Sequence, residues 1–319
     1  MKKIVDDIRL MAKICDLYYN KEMDQKAIAK QLNISRPTIS RLLHNAKEQG
    51  IVKISIQFLE QIDYVELEKE LESLYKLEEV ILVDSDRTNL KRKLGKAAAL
   101  YLSRVIEDGN NVGISMGSTL YEVVDQMEPI KAKDVTFIPT IGGTGLLRTD
   151  LHSNNLVEKI AQICGGNYML MHAPARVSNR LICRSLKNEK GVVEVIRSCN
   201  KLDVALVGIG CPSPDSAIMA TGYYDRDDML NFKSKGVAGD LSMQMYDIDG
   251  QTKPYEADNN VIGVNIKKLR RVPYAIGVAG GIEKINAIQG AISGRYINVL
   301  ITDVDCAKEL IRRKKEESK

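Results

Sequence analysis

The twenty residues Asp24–Leu43, DQKAIAKQLNISRPTISRLL, constrain the fold more than any other part of this chain. Their apolar spacing predicts a short helix with Ala27, Ile28 and Leu32 inward and Lys26 and Lys30 outward. It ends near Asn33, a residue tolerant of turn geometry, and Asn33-Ile34-Ser35 makes the turn. Ser35 is an N-cap for a second helix, and Pro37 falls in that helix's first turn, where a missing N–H costs nothing. Ile39, Leu42 and Leu43 then return to the core. Ser35, Arg36, Thr38, Ser40 and Arg41 face out at the helix N-terminal end, with Lys26 outward on the preceding helix. Two short helices around a tight polar break are the shape the DNA major groove accepts, and these outward residues are the DNA-binding candidates. The stretch Ile8–Tyr19 supplies a supporting helix, and 50–56, GIVKISI, reads as a β wing, so residues 1–58 are predicted to form a winged helix-turn-helix.

Helical hairpins with polar turns serve many purposes, but the charge distribution agrees with DNA. Residues 1–58 hold 11 Lys+Arg against 6 Asp+Glu, a net of +5; the whole chain carries +4, so the other 261 residues sum to −1. The basic excess sits where phosphates would lie. With 319 residues, 44% of them hydrophobic, and no apolar run long enough to cross a bilayer, the chain is neither disordered nor membrane-spanning. Asp6 and Asp7 stand where a signal peptide is apolar, which implies a cytoplasmic location. Cys15, Cys164, Cys183, Cys199, Cys211 and Cys306 form no C-x-x-C pair and read as buried free thiols. His44, His152 and His172 are too dispersed for a metal centre, so no metal or cofactor is expected.

Residues 59–78 read as a helical linker, with Tyr64, Leu67, Leu71 and Leu74 along one narrow seam. A short coiled coil and simple packing onto the next domain both fit that seam. From 79 to 319 the pattern is short apolar strands, Val80–Val83, Val112–Ser115, Val135–Pro139, Tyr168–Met171, Val204–Ile209, Tyr274–Ala279 and Ile297–Thr302, alternating with helices such as Leu90–Ile106 and Asn155–Cys164. The predicted class is α/β, with a mainly parallel, helix-covered sheet whose ligands bind at the carboxyl ends of strands. Three strand ends carry glycine. Gly117-Ser118-Thr119 suits an anion at a helix start, Gly142-Gly143 permits close backbone approach, and Gly280-Gly281 is followed by the ammonium of Lys284. No G-x-x-x-x-G-K-S/T nucleotide motif occurs.

The segments QKAIAKQLNISRPTISRLL, VGISMGSTL, PTIGGTG, MHAPARV, LDVALVGIGCP, GVAGDLSMQMYDIDG, VAGGIEKINAI and INVLITDVDCAKEL, as an ordered set, resemble the SorC/DeoR type of bacterial sugar-responsive transcriptional regulators over essentially the whole chain. Their larger domain is similar to sugar-phosphate isomerase and deaminase domains. The resemblance implies a homo-oligomer, dimer or tetramer, whose hold on operator DNA changes when a phosphorylated sugar binds. It places Gly117, Ser118 and Thr119 at the effector phosphate, Gly142 and Gly143 beside the sugar, and Asp240, Gly280, Gly281 and Lys284 around the pocket. Some relatives carry Lys or Arg immediately before the first glycine pair; here that residue is Ile141, which excludes a Schiff base at that position and leaves Arg148 or Arg176 as the candidates for a second phosphate. The rival readings are an isomerase- or deaminase-like enzyme and a ligand-independent DNA-binding protein. Asp240, Glu283, Asp303 and Asp305 are available as acids or bases, yet no acid/base pair stands out, so no catalytic residue is assigned.

Overall fold

The computed structural model describes residues 7–52, 64–86, 88–143, 148–213, 216 and 218–317. The chain divides into two compact units, 1–63 and 64–319.

In the first unit, helix α1 (Ile8–Cys15) starts at Asp7, whose carboxylate accepts from the N–H groups of Arg9 and Leu10, and runs into a wide π-type turn at Asp16–Asn20. Helix α2 (Gln25–Leu32) starts where Asp24 Oδ1 accepts the Ala27 N–H at 2.7 Å, and stops at Asn33, which takes the left-handed conformation with φ 52°. Ser35 caps α3 (Arg36–Glu48), accepting the Thr38 N–H, and Pro37 sits in its first turn. Met11, Ile14, Ile28, Ile39, Leu42 and Ala46 are fully buried at the centre. Ala27 is exposed, contrary to the expected inward position. With Ile28 and Leu32 turned inward, residue 27 lies about 100° round the helix, and Ala29 takes the inner place. Residues 53–56 of the expected wing lie outside the described residues, as do 59–63 of the expected linker.

The second unit begins with α4 (Val65–Tyr75). In order follow β1 (Glu79–Val83), α5 (Leu90–Val105), β2 (Asn111–Ile114), α6 (Ser118–Asp125), β3 (Thr136–Pro139), α7 (Ser153–Cys164), β4 (Asn167–Tyr168), α8 (Arg180–Lys187), α9 (Lys190–Cys199) and β5 (Val204–Gly210). The chain closes with α10 (Arg226–Ser234), β6 (Gly239–Leu241), β7 (Gln244–Tyr246), β8 (Tyr274–Val278), α11 (Ile285–Ser293), β9 (Val299–Asp303) and α12 (Val304–Glu317). The sheet runs β1-β9-β8-β5-β2-β3-β4 with every neighbour parallel, and the β6–β7 hairpin pairs antiparallel to the end of β5.

Both faces are covered because successive apolar residues point to opposite sides. Val204 and Leu206 join the α5, α6 and α7 layer; Ala205 and Val207 join the layer of α4, α9, α11 and α12. The expected strand 168–171 shortens to two residues. Beyond it, the Asn154 side chain replaces a strand partner, accepting from Met171 N–H and donating to Met171 C=O. The β6–β7 hairpin had no counterpart among the expected strands, since Asp240, Ser242 and Gln244 interrupt the continuous apolar run by which the other strands were read. The six thiols are buried and unbridged. Among the described residues, no helix is long and apolar enough to cross a membrane.

Helix α4 packs its seam, Leu67, Leu71 and Leu74, into the sheet core. It also closes the sheet edge. β1 is an edge strand, and its Val80 and Leu82 N–H groups donate to Glu72 Oε1 at 2.9 Å and Glu68 Oε1 at 2.8 Å. Burial raises the Glu68 carboxyl above its usual range, while the Leu82 N–H opposes that rise. Glu72→Ala leaves a half-buried N–H unpaired and is expected to cost roughly 1–3 kcal/mol. Urea unfolding of the full chain checks this, through a lower midpoint at an unchanged slope.

Candidate functional site

A parallel sheet brings all its carboxyl ends to one edge. The strand order reverses between β2 and β5: from β2 the chain moves outward to β3 and β4, then returns to the opposite side of β2 as β5. Crossovers leaving such a point part company and leave a crevice. Here a cavity of about 1000 Å³ opens over the ends of β2, β5 and β8.

Its walls come from four places. After β2, Gly117 takes φ 129°, a conformation that favours glycine, and α6 begins at Ser118 with no side chain capping it. Its first N–H groups therefore have no partner inside the helix, and Ser118 and Thr119, both half-buried, add hydroxyls beside them. After β8, Gly280 and Gly281 turn the chain, and Lys284 Nζ reaches across to donate to Ile209 C=O at 2.9 Å. Gly281, at φ 99°, donates its N–H to Asp303 Oδ2 at 2.7 Å. Burial pushes the Asp303 carboxyl up, but the donors on it, Gly281 and Cys306 N–H and the Ser85 hydroxyl, outweigh that and hold it below its usual value.

The third wall is the hairpin. Asp240 on β6 pairs with Gly210 on β5, and a Cβ at Gly210 would stand 1.9 Å from Asp240 Oδ1, so only glycine fits. Asp240 Oδ2 accepts the Met243 N–H at 3.1 Å; Oδ1 is buried without a hydrogen-bond partner. Burial pushes this carboxyl up to about 6, against the pull of the Lys284 ammonium and the Met243 N–H. The turn residues Ser242 and Met243 both hold positive φ, 49° and 61°, a strained choice for side-chain-bearing residues. Ser242 is held there by the Ser115 hydroxyl at 2.8 Å. The fourth wall is the start of α5, where Thr88, Asn89, Lys91 and Arg92 border the mouth.

The cavity thus gathers Gly117, Ser118, Thr119, Asp240, Gly280, Gly281 and Lys284. Gly142 and Gly143 are not part of its described lining. They follow β3, on the far side of β2, where a Cβ would strike the Ala173 and Pro174 carbonyls or the Asn154 side chain, so close packing accounts for both glycines. Ile141 is buried, Arg148 forks onto Asp150, and Arg176 stacks on the Tyr224 ring; none of the three borders the cavity. The residues missed in the sequence are Lys91 and Ser242. Nothing in local pattern marked either of them.

In the first unit, Lys26, Ser35, Arg36, Ser40 and Arg41 are exposed, and Thr38 is half-buried with its hydroxyl 2.7 Å from Ser35 Oγ. Ser35 and Thr38 are therefore occupied in part by capping their own helix. Arg36, Ser40 and Arg41 present free faces along α3.

Residues 60–312 match the family described as "Putative sugar-binding domain". The chain is 35% identical over 315 residues to the sorbitol operon regulator of Klebsiella pneumoniae, covering 96% of this chain and 99% of that protein. It is 31% identical over 299 residues to the deoxyribonucleoside regulator of Bacillus subtilis (strain 168), covering 92% and 95%. The crystal structure of the full-length sorbitol operon regulator SorC from Klebsiella pneumoniae is similar to it with a TM-score of 0.71 at 34% identity, over 96% of this chain and 99% of that one. The chain belongs to the SorC/DeoR-type sugar-binding transcriptional regulators. It is a carbohydrate-related transcriptional regulator.

The Asp240 carboxyl makes a testable link between site and stability. Its value in the folded chain lies above that of an unfolded aspartate, so between about pH 4 and 6 the folded state binds the extra proton. The cost of the buried charge is therefore complete above pH 6 and is relieved as pH falls toward 4. Asp240→Asn removes that cost, up to about 3 kcal/mol for a two-unit shift. The variant without ligand is expected to melt higher than the parent at pH 7.5, with the gap closing by pH 4.5. A melting difference that ignores pH would show that the carboxylate carries no such penalty.

Proposed function

We propose that this chain binds operator DNA through a winged helix-turn-helix in its first unit, and that a phosphorylated sugar in the cavity over β2, β5 and β8 sets the strength of that binding. The observation that carries the effector reading is the meeting, in one cavity, of an uncapped helix start with hydroxyls and a buried carboxylate with an open acceptor. The first suits phosphate. The second demands a donor, which a sugar hydroxyl supplies. Gly117, Ser118 and Thr119 take the phosphate, and Asp240 with Lys284 orients the sugar. Gly280 and Gly281 let the backbone approach it.

For DNA, Arg36, Ser40 and Arg41 reach base edges from α3, while Ser35, Thr38 and Lys26 contact phosphates near the turn. Reading two related half-sites calls for a homo-oligomer, a dimer or tetramer, working in the cytoplasm. The sorbitol operon and deoxyribonucleoside regulators among the relatives suggest sugar-alcohol or deoxyribose chemistry, and D-sorbitol 6-phosphate and deoxyribose 5-phosphate are the first effectors to try.

One observation favours a second reading. A carboxyl near pH 6 inside a cavity is also what proton transfer at a sugar carbon needs. Lys284 is already bonded to Ile209 C=O, no described residue of the cavity hydrogen-bonds Asp240 Oδ1 as a proton partner, and the relatives are named as regulators. Product formed from ribose 5-phosphate or glucosamine 6-phosphate by the purified chain would establish the enzymatic reading.

The regulatory reading separates by mutation. Arg41→Ala is expected to weaken operator binding by roughly 1–3 kcal/mol while leaving effector-induced thermal stabilisation intact. Thr119→Val is expected to do the reverse, keeping operator affinity and losing the effector response. Titration of a selected operator duplex at fixed salt, with and without the sugar phosphate, reads both. Loss of effector-free operator binding in Thr119→Val would refute the division of labour.

A further inference from the structure

We propose that Lys91 is an anion ligand of the effector cavity, an ammonium lent by the start of α5 to the start of α6. This rests on the reading of the cavity as a sugar-phosphate site and adds to it a residue that no motif marks. Lys91 Nζ donates to Ser118 Oγ at 3.0 Å, across 27 positions of sequence. Ser118 opens α6, the helix whose first N–H groups are uncapped. A hydroxyl that accepts from an ammonium keeps its own proton available, so Ser118 can donate outward while Lys91 stands beside it. Three kinds of donor then converge on one point: backbone N–H, hydroxyl and ammonium.

Its bonding partner sets Lys91 apart from the other cations that line the cavity, Arg92 and Lys284. Lys284 is committed, bonded to Ile209 C=O and facing the buried carboxyl of Asp240. Among the described residues four carboxylates line the cavity, Glu122, Asp125, Asp240 and Glu283, of which Asp125 is held by Lys159 at 2.8 Å. Arg92 borders the same mouth, but the bond to the start of α6 is made by Lys91. Lys91 is exposed, so swinging from Ser118 onto an arriving anion costs little desolvation. An independent sign that the cavity awaits a ligand is Asp240 Oδ1, 95% of whose residue surface is buried (5% exposed) and which has no partner. The ligand class is accordingly a polyol with a phosphate at one end, the phosphate shared between α6 and Lys91.

The test uses the full chain with inorganic phosphate and D-sorbitol 6-phosphate as probes at constant ionic strength, read by calorimetry and thermal shift. Lys91→Ala is expected to weaken binding of the sugar phosphate roughly tenfold and to reduce stabilisation by inorganic phosphate. Lys91→Arg is expected to retain most of both. Lys93→Ala, which removes the same charge from a side chain paired with Asp84 and Asp86, serves as the control and is expected to bind normally. Wild-type binding with an unaltered Lys91→Ala would overturn the assignment of Lys91 alone. An equal loss in Lys93→Ala would overturn it too, by showing a diffuse field in place of a contact. No binding of either probe by the wild type would overturn both this assignment and the phosphate reading beneath it.

Discussion

The reversal of strand order between β2 and β5 is the constraint on which the second unit depends. Seven parallel strands in one sheet must be joined by crossovers, and the crossover after β2 runs over one face through α6, while the one after β8 runs over the other through α11. Between them the ends of β2, β5 and β8 open onto the cavity, with the β6–β7 hairpin along one side. The crevice is thus a consequence of chain path, and the sequence then has to decide what lines it. It places a helix start there, a buried carboxylate, and two glycine turns. Of these, the buried carboxylate with an unpartnered oxygen is the one a plain structural crossover would have no reason to keep.

Two features of the hairpin wall oppose stability. Asp240 is buried with one oxygen unpartnered, in a place where Gly210 has given up its side chain to admit it. Next to it, Ser242 and Met243 hold positive φ in a buried hairpin turn. The hydroxyl contacts of Ser242 with Ser115 and Thr140 tie this turn to the ends of β2 and β3, so the strain is held by the sheet itself. Strain and an orphaned charge persist where the surroundings over-determine them, and the charge is relieved when a donor arrives. A ligand hydroxyl on Asp240 would therefore gain more than an exposed hydrogen bond gives, because it removes a penalty already present.

The opposite margin of the sheet is closed as firmly as the crevice is open. Glu68 and Glu72 satisfy the free N–H groups of β1, and the Ser85 hydroxyl just beyond β1 donates to Asp303, whose other oxygen accepts from Gly281 in the cavity wall. Hydrogen bonds thus run without a gap from the glycine turn before Lys284, through the end of β9, to the strand that follows α4. The seam on α4 faces this packing, with Leu71 buried completely and Leu67 and Leu74 in part.

How much of this could be read from sequence depended on whether the signal was local. Strands such as Val204–Gly210 show themselves because a sheet buried on both faces needs an unbroken apolar run, and the α2–α3 break shows itself because Ser35, Pro37 and Asn33 act within a turn of their own positions. Gly142-Gly143 carried the same local signature as Gly117 and Gly280-Gly281, yet it lies off the cavity. A glycine records that a backbone passes close to something, without recording whether that neighbour is a ligand or, as here, the carbonyls of Ala173 and Pro174. The β6–β7 hairpin was hidden for the converse reason: its turn residue Ser242 answers to Ser115 and Thr140, more than a hundred positions away, and Gln244 to Val264 and Ile266 on another segment. Lys91 is the extreme case. A lysine at a helix start is ordinary on any surface, and only the side-by-side packing of α5 and α6, with Gly95 pressed against Glu122, brings its ammonium to Ser118.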